Sequence, residues 1–173
     1  MPLNATIGAI PGYPEDGANS WRASNDRIFI EAVNNFNWLY APLPSNPLHW
    51  SPTELKAQAM VESGGGKFKS AFLTDPLQVN NSADWIPGKS KIGLTQGEAM
   101  TPSLSASKAL LWLKVKMEIH DKTGAVVGYR SKFDTWKNYN GNDETNRKGH
   151  EYHKGMMHKI WYAGEVTRLA GDN

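Results

Sequence analysis

The run Ser51-Pro-Thr-Glu54 constrains this chain more than any other stretch, because it marks where one helix must start. Ser51 can accept from the amide three residues on, Pro52 suits the first helical position, and Glu54 can reach back to complete a capping box. Gly64-Gly-Gly66 then stops the helix. Between these signals Leu55, Ala59 and Glu62 recur at intervals of four and three, which puts the Glu62 carboxylate on the apolar face one turn before the glycines. A solvated helix-end Glu would be the plain reading. The macrodipole disfavours a carboxylate at that end, however, so Glu62 invites a functional reason.

The rest of the chain reads as mainly α. Pro2, Gly8, Pro11, Gly12, Pro14 and Gly17 break residues 1–23 too often for a helix or strand, giving an irregular N-terminal segment. Ser24 is a candidate N-cap for a first helix to about Trp38, with Phe29, Val33 and Phe36 at helical spacing. Residues 67–102 show short, broken apolar runs, read as loops with at most a small β-hairpin. Ser105 to about His120 carries the stripe Ala106, Leu110, Leu113 and Met117 of a long helix. Gly124 and Gly128 mark a loop or short hairpin, Phe133 and Trp136 suggest a short helix, and Tyr152, Met156, Ile160 and Ala163 form a last helix to about Leu169. The expected architecture is one domain over residues 1–173, a helical bundle with a small loop or hairpin region beside a cleft.

Composition narrows the chemistry. With no Cys in 173 residues, thiol catalysis, thiolate zinc sites and disulfides are excluded. A net charge of +2 is too small to argue for nucleic acid, although it suits weak attraction to an anionic polymer. No apolar run is long enough to span a membrane, and residues 1–14 lack a secretory signal pattern. His150 and His153 stand three apart where a zinc-protease helix needs four, so neither a metal nor any other cofactor is expected. Seven Trp and six Tyr offer flat faces for sugar rings, but they serve core packing equally well.

Leu55-Lys-Ala-Gln-Ala-Met-Val-Glu62-Ser63-Gly-Gly resembles the helix and Glu-Ser signature around the catalytic acid of goose-type lysozymes and lytic transglycosylases. Asp75-Pro-Leu-Gln78-Val-Asn80 resembles that family's Gly-Leu-Met-Gln-Val segment, with Asp75 in place of the usual Gly. Thr101-Pro102 followed by Ala109-Leu-Leu-Trp-Leu113, then Tyr139-Asn140-Gly141, then Tyr152, continue the likeness in the family's order over roughly residues 26–162.

The resemblance implies a lysozyme-like α+β fold and cleavage of the β-1,4 bond between N-acetylmuramic acid and N-acetylglucosamine in peptidoglycan. It implies Glu62 as general acid, Ser63 and Gln78 lining the cleft, and Tyr139, Asn140 and Tyr152 positioning the sugar. Such an acid must keep its proton near neutral pH, which desolvation favours. The family's further carboxylate, thought to hold the attacking water, is replaced by Asn80, another cleft residue. Asp75, Asp84 and Glu98 are the substitutes near in sequence, and one of them roughly 6.5–9.5 Å from Glu62 would suit inversion through water. Hydrolysis is the expectation. Without such a base, the muramic acid 6-hydroxyl can attack instead and leave a 1,6-anhydro end. A glycan-binding module that has lost activity is the reading from another class. The expected partners are peptidoglycan strands met by a monomer in the periplasm or cell wall, with an inhibitor or immunity protein if the chain is an effector; phage lysis, secretion or release from a larger protein would each deliver it.

Overall fold

The computed structural model describes residues 7, 10, 12–63, 68–82, 85 and 88–139. Its helices are α1 (Asp26–Tyr40), α2 (Pro52–Glu62), α3 (Lys69–Thr74), α4 (Pro102–Met117) and α5 (Lys132–Tyr139), with 3-10 turns at Gly17–Ala23 and Lys89–Ile92. One antiparallel pair, β1 (Glu118–His120) with β2 (Val126–Tyr129), is the sheet among the described residues. The fold is therefore mainly helical.

The expected start of α2 is present in full. Ser51 Oγ accepts from the Glu54 amide at 3.1 Å, and Glu54 Oε2 accepts from the Ser51 amide at 2.8 Å. Such a box contributes on the order of 1 kcal/mol to the helix. Glu54 also receives Lys132 Nζ at 2.7 and 2.8 Å, tying the start of α5 to the start of α2. Trp50 and Trp136 pack beside that contact, with ring centroids 5.8 Å apart.

A single apolar face understates α2, because every residue from Thr53 to Val61 is buried. The helix runs through the core, with α1 and other elements around it. Burial on all sides takes in Lys56, which is 0 % exposed and whose Nζ reaches Asp26 at 2.7 Å and also pairs with Glu15. The N-terminal segment is thus fastened to the head of α1 and the middle of α2 by charge. Asn37 of α1 fixes the approach to α2 by donating to the Trp50 carbonyl at 2.7 Å and accepting from its amide at 3.1 Å.

Three sequence expectations are corrected. Ser24 does not cap α1: its hydroxyl closes the preceding turn by donating to the Trp21 carbonyl at 2.7 Å, and Asn25 precedes the helix while donating to the Phe72 carbonyl at 2.7 Å. The run Ala71-Phe-Leu is helical in α3, because Phe72 is drawn into the core against Trp21 and Phe29. The hairpin at 118–129 is the one that Gly124 and Gly128 marked as a loop or short hairpin, and no strand is found among the described residues of 67–102; the third correction is the end of α4, at Met117 and not at about His120. Residues 118–120 leave the helix because Arg130 takes up the chain end of α4: its amide donates to the Met117 carbonyl at 2.8 Å and its guanidinium to Lys116 and Glu118 carbonyls at 2.9 and 3.0 Å. Gly124, at φ +87°, makes the turn between the strands.

Helix α4 starts three residues before the expected Ser105, where Thr101 Oγ1 accepts from the Leu104 amide at 3.2 Å and Pro102 takes the first position. Its buried face, with Ala106, Ala109, Leu110 and Leu113, joins Phe29, Leu55, Met60, Phe72, Leu77 and Trp136 in one apolar cluster. The expected last helix, from Tyr152, lies outside the described residues.

Candidate active site

Glu62 is the last residue of α2 and is half-buried, with its Oε1 enclosed. Ser63 follows at 1 % exposure; its amide and hydroxyl both return to the Ala59 carbonyl, at 3.0 and 2.7 Å. Ser63, expected to line the cleft, is turned back onto the helix end. It satisfies a carbonyl that the helix leaves over, and so holds Glu62 in place from behind.

Across from this end stands Tyr139, the last residue of α5 and 8 % exposed. Its hydroxyl donates to the Leu77 carbonyl at 2.8 Å. Burial pushes the phenol well above its ordinary pKa, and the charges of Glu62 and Asp75 push it further in the same direction. The phenol is thus a neutral donor at any physiological pH. Since both carboxylates act on it, Glu62, Tyr139 and the 75–80 turn share one locality.

That turn is built around Asp75. Its Oδ1 accepts from Ser105 Oγ at 2.6 Å and from the Val79 amide at 3.2 Å, and its Oδ2 accepts from the Asn80 amide at 3.0 Å. Its backbone carbonyl accepts from the Gln78 amide at 3.0 Å and from Gln78 Nε2 at 2.7 Å. Gln78 sits at φ +49°, the sole non-glycine residue in the left-handed region among those described. A side chain there costs about 1–2 kcal/mol, a strain that persists only where the surroundings impose it and that gathers at functional sites. Two imposed bonds flank it: Leu77 gives its amide to Ser105 Oγ at 3.2 Å and its carbonyl to Tyr139.

Asn80 stands where the family resemblance leads one to expect a carboxylate. Its Oδ1 accepts from the Gly97 amide at 3.1 Å and its Nδ2 donates to the Glu98 carbonyl at 3.0 Å, clamping the 95–98 turn onto the 75–80 turn. Glu98 closes its own turn by accepting from the Thr95 amide at 2.6 Å. Beyond it, Trp85 donates to the Asn81 carbonyl at 2.7 Å, and Lys89 reaches both Asn81 Oδ1 and the Trp85 ring.

Glu62, Gln78, Tyr139, Asp75 and Asn80 therefore belong to one neighbourhood built from α2, the 75–80 turn and α5. Asp84, Asn140 and Tyr152, and the histidines His150 and His153, lie outside the described residues. Ser105 was read only as a helix start, although a lone hydroxyl one residue before Ala106 and four before Ala109 on the buried face of α4 was its signal. Among the described residues no group of three His, Asp or Glu is placed to hold a metal ion, and no helix is long and apolar enough to cross a membrane. No family model, no curated protein and no solved structure matches the chain.

Proposed function

We propose that this chain cleaves the glycan strands of peptidoglycan between N-acetylmuramic acid and N-acetylglucosamine, in a lysozyme-like fold, with Glu62 as the general acid. The observation that carries the reading is the position of Glu62: a partly enclosed carboxyl at the end of a fully buried helix, beside a neutral buried phenol and a strained glutamine turn. An acid that must hold a proton and release it to a leaving glycosidic oxygen needs both that enclosure and rigid support. The mainly helical fold with one small hairpin is compatible with a lysozyme-like domain.

The fate of the sugar's anomeric carbon depends on what holds the attacking oxygen. Hydrolysis needs a carboxylate with a free oxygen to orient water. Asp75 offers little, since three donors occupy its two oxygens, and Glu98 has one oxygen committed to the Thr95 amide. Where no other carboxylate faces the sugar, the second route follows, in which Glu62 protonates the leaving 4-oxygen, the muramic acid 6-hydroxyl attacks the anomeric carbon, and its proton returns to Glu62. No water is consumed, and the product carries a 1,6-anhydro bridge.

The decisive experiment is zymography on purified peptidoglycan with wild type and Glu62→Gln, followed by mass spectrometry of the released muropeptides. Clearing by the wild type and its loss in the variant support the muramidase reading. Clearing by neither form would leave a glycan-binding module. The mass separates the two routes, because the anhydro product is lighter than the hydrolytic one by one water.

A further inference from the structure

We infer that Ser105 and Asp75 form a positioning pair for the active site: the Ser105 hydroxyl bridges the Asp75 carboxylate and the Leu77 amide, and so holds Gln78 in its left-handed conformation beside Glu62 and Tyr139. The inference rests on the muramidase reading and adds to it a residue on α4 that does not touch the sugar.

The geometry is specific. Ser105 is 0 % exposed, and a buried hydroxyl has one proton and two lone pairs to satisfy. The proton goes to Asp75 Oδ1 at 2.6 Å, a short charge-assisted bond, and a lone pair takes the Leu77 amide at 3.2 Å. Leu77 is held from its other side by Tyr139, so the peptide units entering Gln78 are gripped by two different helices. Asp75 closes the turn from its far side through the Val79 and Asn80 amides. Gln78, between these anchors, folds its own Nε2 onto the Asp75 carbonyl. Without the grip the turn can relax Gln78 into the ordinary φ < 0 region, and its side chain then leaves the Asp75 carbonyl.

The consequence is a residue that acts through another. Loss of Ser105 Oγ should misplace Gln78 rather than remove a reacting group, so turnover should fall more than binding. Asp75 stands where the resembling family has Gly, and the pair gives that departure a purpose.

The test uses the whole chain acting on soluble, un-cross-linked peptidoglycan strands at 25 °C. Ser105→Ala should lower kcat about tenfold, with KM changed less than twofold. Asp75→Ala removes the same bond from the other side and reads the pair independently if Ser105→Ala does not fold. In the double variant the kcat losses should be sub-multiplicative, because both substitutions break one unit. Amide hydrogen exchange gives a readout apart from activity: the Leu77, Gln78 and Val79 amides should exchange faster in Ser105→Ala while those in the middle of α4 do not. Full turnover by a folded Ser105→Ala, multiplicative losses in the double variant, or unchanged exchange at 77–79 would overturn the inference alone. A wild-type chain that cleaves nothing would overturn the muramidase reading, and this inference with it.

Discussion

Replacing Lys56 with Met tests whether charge fastens the N-terminal segment to the core. Removing one member of a buried ion cluster costs about 3–5 kcal/mol when the partners stay buried. Here the Glu15 and Asp26 side chains keep 18 % and 23 % of their exposure, so residual hydration lowers the expected cost to about 2–4 kcal/mol. For a chain of this size about 3 kcal/mol corresponds to a fall in Tm of about 9 °C, measured by calorimetry at pH 7.5. The effect should shrink at acid pH. Burial already raises the Asp26 pKa from its ordinary value, and Lys56 partly offsets the rise through its hydrogen bond and charge. A folded-state pKa above the unfolded one means that the native state binds more protons in the window between them, so the Asp26 contribution to stability grows as pH falls through that window. Without Lys56 the offset is gone, the window widens upward, and the variant should recover relative to wild type at pH 5. Substituting Glu15→Gln and Asp26→Asn alongside Lys56→Met should restore most of the loss, since no charge is then left buried. An equal or larger difference in Tm at pH 5 than at pH 7.5 would refute this account, as would a difference of less than about 2 °C at pH 7.5.

Glu62→Gln should fold with wild-type Tm and lose at least about a hundredfold in rate on peptidoglycan, the scale of a missing general acid; near-normal turnover by the folded variant would remove the assignment. Tyr139 has a folded-state pKa raised above the unfolded value, so its contribution to stability is intact below about pH 10 and is lost as pH rises through the folded pKa. Urea titrations from pH 9 to 11.5 should therefore show a shallower alkaline loss in Tyr139→Phe than in wild type, on a Tyr13→Phe background because burial also raises that phenol's pKa. Asn80→Ala should release the 95–98 turn from the 75–80 turn and lower Tm by about 5 °C, for about 2 kcal/mol of lost hydrogen bonding; an unchanged Tm would show that the clamp is slack.

Local chemistry made much of this fold legible. The capping box at Ser51 and Glu54, the apolar spacing of Phe29, Val33 and Phe36, and the stripe Ala106, Leu110, Leu113 and Met117 each act within a few turns, and each produced the expected helix, α4 starting three residues early at Pro102. What could not be read depends on partners distant in the chain. Ser24 loses its expected place at the head of α1 to Asn25, whose side chain turns to the carbonyl of Phe72, 47 residues beyond it. The end of α4 is decided by Arg130, and the burial of Lys56 by Glu15 and Asp26. The same division runs through the site: Glu62 stood out as a carboxylate on an apolar face, whereas nothing in the order of residues announces that Asp75 would be consumed by Ser105, 30 positions away.

Helix α2 has no wet face from Thr53 to Val61, and that decides which part of the site is slow. An element enclosed on all sides opens only when its surroundings open, so its amides should exchange with solvent near the rate of global unfolding. The 95–98 turn, where Thr95, Gln96 and Gly97 are exposed, belongs to the fast end of the same scale. The candidate acid is thus carried by an element that is buried throughout, and the turn beyond Asn80 by exposed residues. On the proposed muramidase reading, movement of that turn would admit a glycan strand while the Glu62 carboxyl keeps its place.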